Sequence, residues 1–232
     1  LEQYEKNTGE DIKEAFSSYE GIVFGGEPMS PHIKRLMERW DLTVFELTSL
    51  GDIATATECS YHDGMHTWED IALIEHLDPD GNTDAEDGGR GEMVVTALLD
   101  DVAPLIRFRT DDLINFTREP CRCGRTHARM TPLGRKGDEL VVQGKSILPI
   151  DIFPFIGDFP ETRTGLFQII RPQRECELLK LRVGYDPELL TNSEEELIER
   201  IKTRVSTELA VPSDIVLMSN IEMVKLGPPN KI

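Results

Sequence analysis

Three of the four cysteines lie where ligand chemistry is the first reading. Cys121 and Cys123 are two apart in Pro120-Cys121-Arg122-Cys123-Gly124-Arg125-Thr126-His127, too close to pair comfortably with each other. Cys59 stands upstream, with His62 and His66 three and seven residues beyond it. Two thiolates from one loop, a third from another and one imidazole make a Cys₃His set, the closed tetrahedral arrangement of structural zinc. In a reducing compartment, clustered cysteines are metal ligands more often than disulfides. The competing reading is three unrelated reduced thiols, since the two halves lie more than 50 residues apart. Cys176, isolated among charged residues, reads as an ordinary free thiol. A second stretch of interest is Gly25-Gly26-Glu27-Pro28, where two glycines let backbone come close to whatever lies against it.

These residues need elements to position them. Ile22-Val23-Phe24 is a short buried-strand signal ahead of the glycines. Ser30 then caps a helix with Pro31 at its first position, and Ile33, Leu36, Met37 and Trp40 share one apolar face. A following strand is expected from Leu42 to Leu47. Ile71 to Leu77, the turn Asp78-Pro79-Asp80-Gly81, an acidic loop through Arg90 and the stretch Glu92 to Leu98 read as a hairpin with a long, solvated tip. The texture changes near Gly134, and after Asp138 come strand candidates around one clear helix. In that helix Ser193 and Glu196 make a capping box, and Leu197, Ile201, Val205 and Leu209 share a face. Strand-like Gly165–Arg171, Leu178–Tyr185 and Ile215–Ser219 flank it, a small α+β domain over the last ~95 residues.

Charge limits the partners. With 25 Lys+Arg against 43 Asp+Glu the formal net charge is −18. The cations are too scarce to grip nucleic acid or an anionic membrane through bulk electrostatics. At 39% hydrophobic the chain can bury a real core, and no apolar run approaches a membrane span. The first residues lack a signal peptide's apolar stretch, so a cytoplasmic protein is expected. The start without Met leads to the expectation of a fragment or a processed chain.

The glycine loop, the cysteine loop and Pro104-Leu105-Ile106-Arg107-Phe108-Arg109-Thr110-Asp111-Asp112 together resemble the phenylacetate–CoA ligase family of adenylate-forming enzymes. The resemblance runs from about Gly21 to the C-terminus and is carried in register by Gly-Gly-Glu-Pro at 25–28, Gly-Met-His-Thr-Trp-Glu-Asp at 64–70, Pro-Leu-Ile-Arg-Phe-Arg-Thr at 104–110, Cys-x-Cys-Gly-Arg-Thr-His at 121–127 and Gly-Arg at 134–135. It implies an α/β fold: residues 1–138 as the C-terminal portion of the large AMP-binding domain, with mixed sheets, helices, a β-rich subdomain and the zinc-site loops, and residues 139–232 as a small α+β lid. It also implies ATP/AMP, Mg²⁺ and coenzyme A as cofactors, an acyl-adenylate made from an aryl carboxylic acid, and a CoA thioester as product. Such chemistry needs positive charge at the α-phosphate and a rigidly held adenosine. Asp112 matches the ribose-binding aspartate, Arg135 an arginine that reaches the nucleotide, and Gly25, Gly26, Glu27 and Pro28 the loop against the adenine. Asp138 matches the hinge, and Lys231 is the expected catalytic lysine. For the zinc, the resemblance favours Cys59, His66, Cys121 and Cys123, with His127 as reserve ligand.

The resemblance also shows departures. The aromatic-Gly-x-Ser/Thr-Glu motif that ends in the magnesium glutamate aligns with Phe45-Glu46-Leu47-Thr48-Ser49, so glycine has become Glu46 and the glutamate Ser49. Either Glu46 or Asp52 would have to supply the carboxylate from a shifted position, or the magnesium is handled differently. The phosphate-gripping loop of the superfamily belongs to sequence before Leu1, so an incomplete enzyme is expected, partnered by the missing N-terminal part or subunit. A homodimer is allowed, and no nucleic acid or membrane partner is expected. The alternatives are an adenylate-forming enzyme with another acceptor, a cofactor or an amine, and a non-catalytic zinc-stabilised nucleotide-binding module.

Overall fold

The computed structural model describes residues 1–26, 29–50, 54–99, 102 and 104–227. Two compact units emerge, one of Leu1–Met29 with Ile33–Gly137, the other of Asp138–Ile232 with Ser30–His32.

Helices α1 (Glu2–Thr8), α2 (Ile12–Ala15) and α3 (Pro31–Arg39) accompany eight strands in the first part of the chain: β1 (Ile22–Gly25), β2 (Val44–Leu50), β3 (Ala54–Glu58), β4 (Met65–Thr67), β5 (Ala72–Leu77), β6 (Arg90–Ala97), β7 (Phe108–Thr117) and β8 (Arg129–Arg135). They form one sheet in the order β1-β2-β3-β4-β8-β7-β6-β5. β1 and β2 are parallel across α3, and every other neighbouring pair is antiparallel. Ile33, Leu36 and Met37 are half-buried on α3, while Trp40, just past its end, is buried and donates its indole N–H to Glu5 Oε1 at 3.2 Å. Met65, Ile74, Met93, Val95, Ile114, Phe116 and Met130 fill the core of the sheet from five different strands.

The acidic tip between β5 and β6 is not simply solvated. Asp78 Oδ1 accepts the N–H of Asp80 at 2.8 Å, and the N–H of Ala85 returns to the His76 carbonyl at 2.9 Å. Asp87 accepts the N–H of Arg118 at 2.9 Å and the Thr117 hydroxyl at 3.1 Å. From β7 the Arg109 guanidinium donates to the carbonyls of Gly81 at 2.9 Å and Pro79 at 3.3 Å. That guanidinium is itself fixed by Glu92, fully buried on β6, through a fork of 3.0 and 2.5 Å.

The second unit carries β9 (Leu140–Val142), β10 (Lys145–Ile147), α4 (Pro149–Ile156), β11 (Phe167–Ile169), β12 (Glu175–Cys176), β13 (Leu179–Tyr185), α5 (Glu194–Leu209), β14 (Ser213–Ser219) and α6 (Asn220–Lys225). Two three-stranded sheets, β10-β9-β12 and β11-β13-β14, pack with Ile152, Phe155 and Ile156 of α4 and Leu197, Ile201 and Val205 of α5 in one apolar core. Ser193 caps α5 by accepting the N–H of Glu196. Among the described residues three α-helices stand where the sequence suggested one. Pro149 at the first position pre-sets the α4 backbone, and Asp151 Oδ2 accepts the N–H of Leu148 at 2.8 Å, so an apolar run with strand-like composition becomes helical. α6 is nucleated by a capping box in which Ser219 and Glu222 bond each other's backbone N–H.

Candidate functional site

The ligand atoms of Cys59, His66, Cys121 and Cys123 all lie within 4.8 Å of one another. β3 delivers Cys59 one residue past its end, β4 carries His66, and the β7–β8 connection carries the other two thiols. At Gly124, φ of +84° turns the chain back so that its N–H reaches the Cys121 carbonyl at 3.0 Å. The N–H of Arg125 points at Cys123 Sγ at 3.5 Å. The Cys121 thiol is pulled down to about 6, chiefly by the backbone N–H of Cys123, whereas burial pushes the Cys59 thiol up. Zinc bonds of about 2.3 Å to sulfur and about 2.0 Å to nitrogen imply tetrahedral edges of about 3.8 Å between sulfurs and about 3.5 Å between sulfur and nitrogen. Cys59 and Cys121 sulfurs are 3.8 Å apart, and Cys123 Sγ lies 3.3 Å from His66 Nε2. His66 Nδ1 meets the His127 carbonyl at 3.1 Å, which leaves Nε2 to face the thiols. The donor set therefore fits a tetrahedral ion. His62 and His127 are engaged elsewhere, with Glu58 and with the Thr67 carbonyl.

Arg129 is a residue that sequence reasoning missed. It is buried and bonds the Asp63 carbonyl at 2.7 Å, the Asp63 carboxylate, and the Glu119 carbonyl at 3.2 Å. It thereby straps together the two loops that bring the cysteines. No local pattern marks it, because its partners are distant in sequence.

Asp112 and Arg135 are direct partners across β7 and β8, with Arg135 Nε 3.4 Å from Asp112 Oδ1. A register shift between Leu113 and Ile114 lies beside them, the kind of bulge that re-aims side chains out of the ladder. Thr110, buried next to them, accepts the N–H of Asp112 and donates its hydroxyl to the Met93 carbonyl, each at 3.0 Å. A carboxylate fixed at its backbone and half-buried can accept hydrogen bonds from a vicinal diol, and the exposed Arg135 adds a cation beside it. Asp138, exposed, closes the short turn Lys136–Asp138 after β8.

At the end of β1, a Cβ on Gly25 would lie 2.8 Å from the Leu47 carbonyl, so only glycine allows β1 to run this close to β2. Gly26 follows at φ +94° with open space above it. Glu27, Pro28, Asp52 and Lys231 lie outside the described residues. Both Glu46 oxygens already accept hydrogen bonds, from the N–H of Met29 and from Lys34 Nζ, at 3.2 and 3.1 Å. Ser49 is exposed at its own position on β2.

Comparison with known proteins bears on this geometry. A phenylacetate–coenzyme A ligase of Thermus thermophilus is 31% identical over 172 residues, which cover 72% of this chain and 39% of that protein. The Escherichia coli (strain K12) enzyme of the same name is 25% identical over 227 residues, 94% of this chain and 51% of that protein. By sequence the chain is similar to phenylacetate–CoA ligases. It corresponds to the C-terminal part of family members and spans about half their length or less. No protein-family model matches it. Among solved structures, a 2-hydroxyisobutyryl-CoA ligase bound to an acyl-adenylate superposes with a TM-score of 0.80 at 25% identity, over 99% of this chain and 49% of that one. The mixed α/β architecture is thus that of adenylate-forming CoA ligases.

Proposed function

We propose that the chain is the nucleotide-binding C-terminal portion of an aryl-acid CoA ligase, an enzyme that joins an aromatic carboxylic acid to ATP as an acyl-adenylate and passes the acyl group to coenzyme A. The observation that carries this reading is the Asp112–Arg135 pair at the β7–β8 bulge, in a chain that shares its register with phenylacetate–CoA ligases. Asp112 would hold the ribose hydroxyls, Arg135 would offset phosphate charge, and the Gly25–Gly26 backbone would lie against the adenine. Residues 1–138 would complete the AMP-binding domain, 139–232 would form the lid, Asp138 would be the hinge, and Lys231 would meet the acyl carboxylate. Mg²⁺ comes with ATP. At the position of the family's magnesium glutamate this segment offers Ser49, and Glu46 is committed to Met29 and Lys34, so no step is assigned to a magnesium ligand here. A structural zinc at Cys59, His66, Cys121 and Cys123 is part of the same proposal, supported by the fit of the four donors to a tetrahedron.

The test uses the full-length protein with phenylacetate, ATP and coenzyme A, following pyrophosphate and thioester. Asp112→Ala should weaken nucleotide binding by about 1.5–3 kcal/mol, the range for hydrogen bonds to a charged group, without loss of fold. Unchanged affinity in a calorimetric titration would remove Asp112 from the site.

A further inference from the structure

The two candidate sites of the first unit are joined by a pair of glutamates. Glu46, where the family motif carries glycine, accepts the N–H of Met29 on Oε1 at 3.2 Å and Lys34 Nζ on Oε2 at 3.1 Å. Its own N–H donates to Glu58 Oε2 at 2.9 Å. The same Glu58 oxygen lies 2.9 Å from His62 Nδ1, and the His62 ring stacks on Phe45 with centroids 5.3 Å apart. Glu58 directly precedes Cys59, and the N–H of His62 closes a turn onto the Cys59 carbonyl at 3.0 Å. The side chains of Glu58 and Glu46 are only 9% and 17% exposed, so water competes weakly for these bonds. A continuous line of hydrogen bonds therefore runs from the Cys59 turn to Met29, just downstream of the glycine loop.

We propose that Glu58 and Glu46 are positioning residues through which metal occupancy of the cysteine–histidine cluster sets the backbone at Met29, and with it nucleotide affinity. This rests on the metal and nucleotide readings above. An ion on Cys59 fixes the Cys59–His62 turn, the turn fixes the base from which Glu58 reaches Glu46, and Glu46 holds the Met29 amide. Without the ion, the Cys59 end of this line keeps its hydrogen bonds to His62 and Cys121 but loses the bond that ties its sulfur to three other ligands. Linkage makes the coupling reciprocal, so nucleotide on the glycine loop tightens the metal by the factor by which the metal tightens nucleotide.

The direct measurement is hydrogen exchange at the Met29 amide in the full-length protein, with and without a zinc chelator, in native protein and in Glu58→Ala and Glu58→Gln variants. Chelation should speed Met29 exchange about tenfold in the native protein, the scale of one lost hydrogen bond. Glu58→Ala should show the fast rate while still holding about one zinc per chain, and chelation should add nothing further. Glu58→Gln keeps an acceptor oxygen for the Glu46 N–H and should restore the slow rate in large part. Exchange in the β13 and α5 core serves as the control for global unfolding. An unmoved Met29 rate on chelation, or a Glu58→Ala protein that still responds to chelation like the native one, overturns the coupling. The exchange readout requires neither nucleotide nor turnover, so a protein that keeps the coupling yet binds no ATP would count against the nucleotide reading alone. A protein that binds no zinc defeats the metal reading and the coupling together.

Discussion

At Cys121 the sulfur already accepts a backbone N–H and lies 3.8 Å from the Cys59 sulfur, so removing it should cost the cluster its ion rather than trim its affinity. Cys121→Ser in purified protein should drop zinc from about one to below about 0.2 per chain, read by elemental analysis, with structural zinc contributing on the order of 10 kcal/mol to a small motif. Full zinc content in that variant would sink the assignment. Glu92 gives a second residue-scale expectation. The Arg109 fork, helped by the charge of Lys136 and opposed by burial, holds its carboxyl below the ordinary 4.5. A carboxylate whose folded value is depressed adds stability that is fully present above the unfolded value and is lost as pH falls through the folded one. Urea-unfolding free energy should therefore drop more steeply below about pH 4.5 in the native protein than in Glu92→Gln, and parallel curves would show that the pair stores no such energy. The cysteines and His66 were legible in the sequence because few other residue types do their chemistry. Glu58, Glu92 and Arg129 were not, because Glu46, Arg109 and Asp63, the partners that give them their roles, lie 12, 17 and 66 residues away; Glu46 stood out only as a departure from the family motif.

Among the elements, α5 is the one whose sequence announces it: a capping serine, three glutamates on the positive end of the dipole and an apolar face at helical spacing. Leu197 is fully buried on that face among β-strand and α4 side chains. Leu197→Ala should cost about 2–5 kcal/mol in chemical denaturation, and a loss below about 1 kcal/mol would mean the α5 face is not part of the core. β7 stayed hidden for a physical reason. Its strand Phe108–Thr117 puts Asp111 and Asp112 in succession, with Asp111 at φ +59°, and the bulge after Leu113 breaks the alternation by which a half-buried strand is recognised. α4 was hidden by composition, since Pro149, Pro154 and five β-branched or aromatic residues read against a helix until the Asp151 cap is seen.

At the scale of the whole molecule, the net charge of −18 is concentrated in places such as the 78–89 tip, which composition alone marks as loose and solvent-facing. Its tethers to Arg109, Arg118 and His76 imply something about how the folded chain meets a protease. Cleavage needs some ten residues of backbone to open locally into an extended strand, and segments open only as readily as their contacts allow. The tip should thus be a poor substrate despite its exposure, with Glu86 cut slowly by a glutamate-specific protease in the native protein. Arg109→Ala, which releases the carbonyls of Pro79 and Gly81, should make Glu86 the first site nicked, and the order of appearance of fragments on a gel reads the difference. Equal nicking rates at Glu86 in both proteins would show that the guanidinium is not what keeps the tip closed. A surface rich in scissile acidic residues can in this way outlast digestion, because a single buried carboxylate beneath it, Glu92, aims the arginine that ties it down.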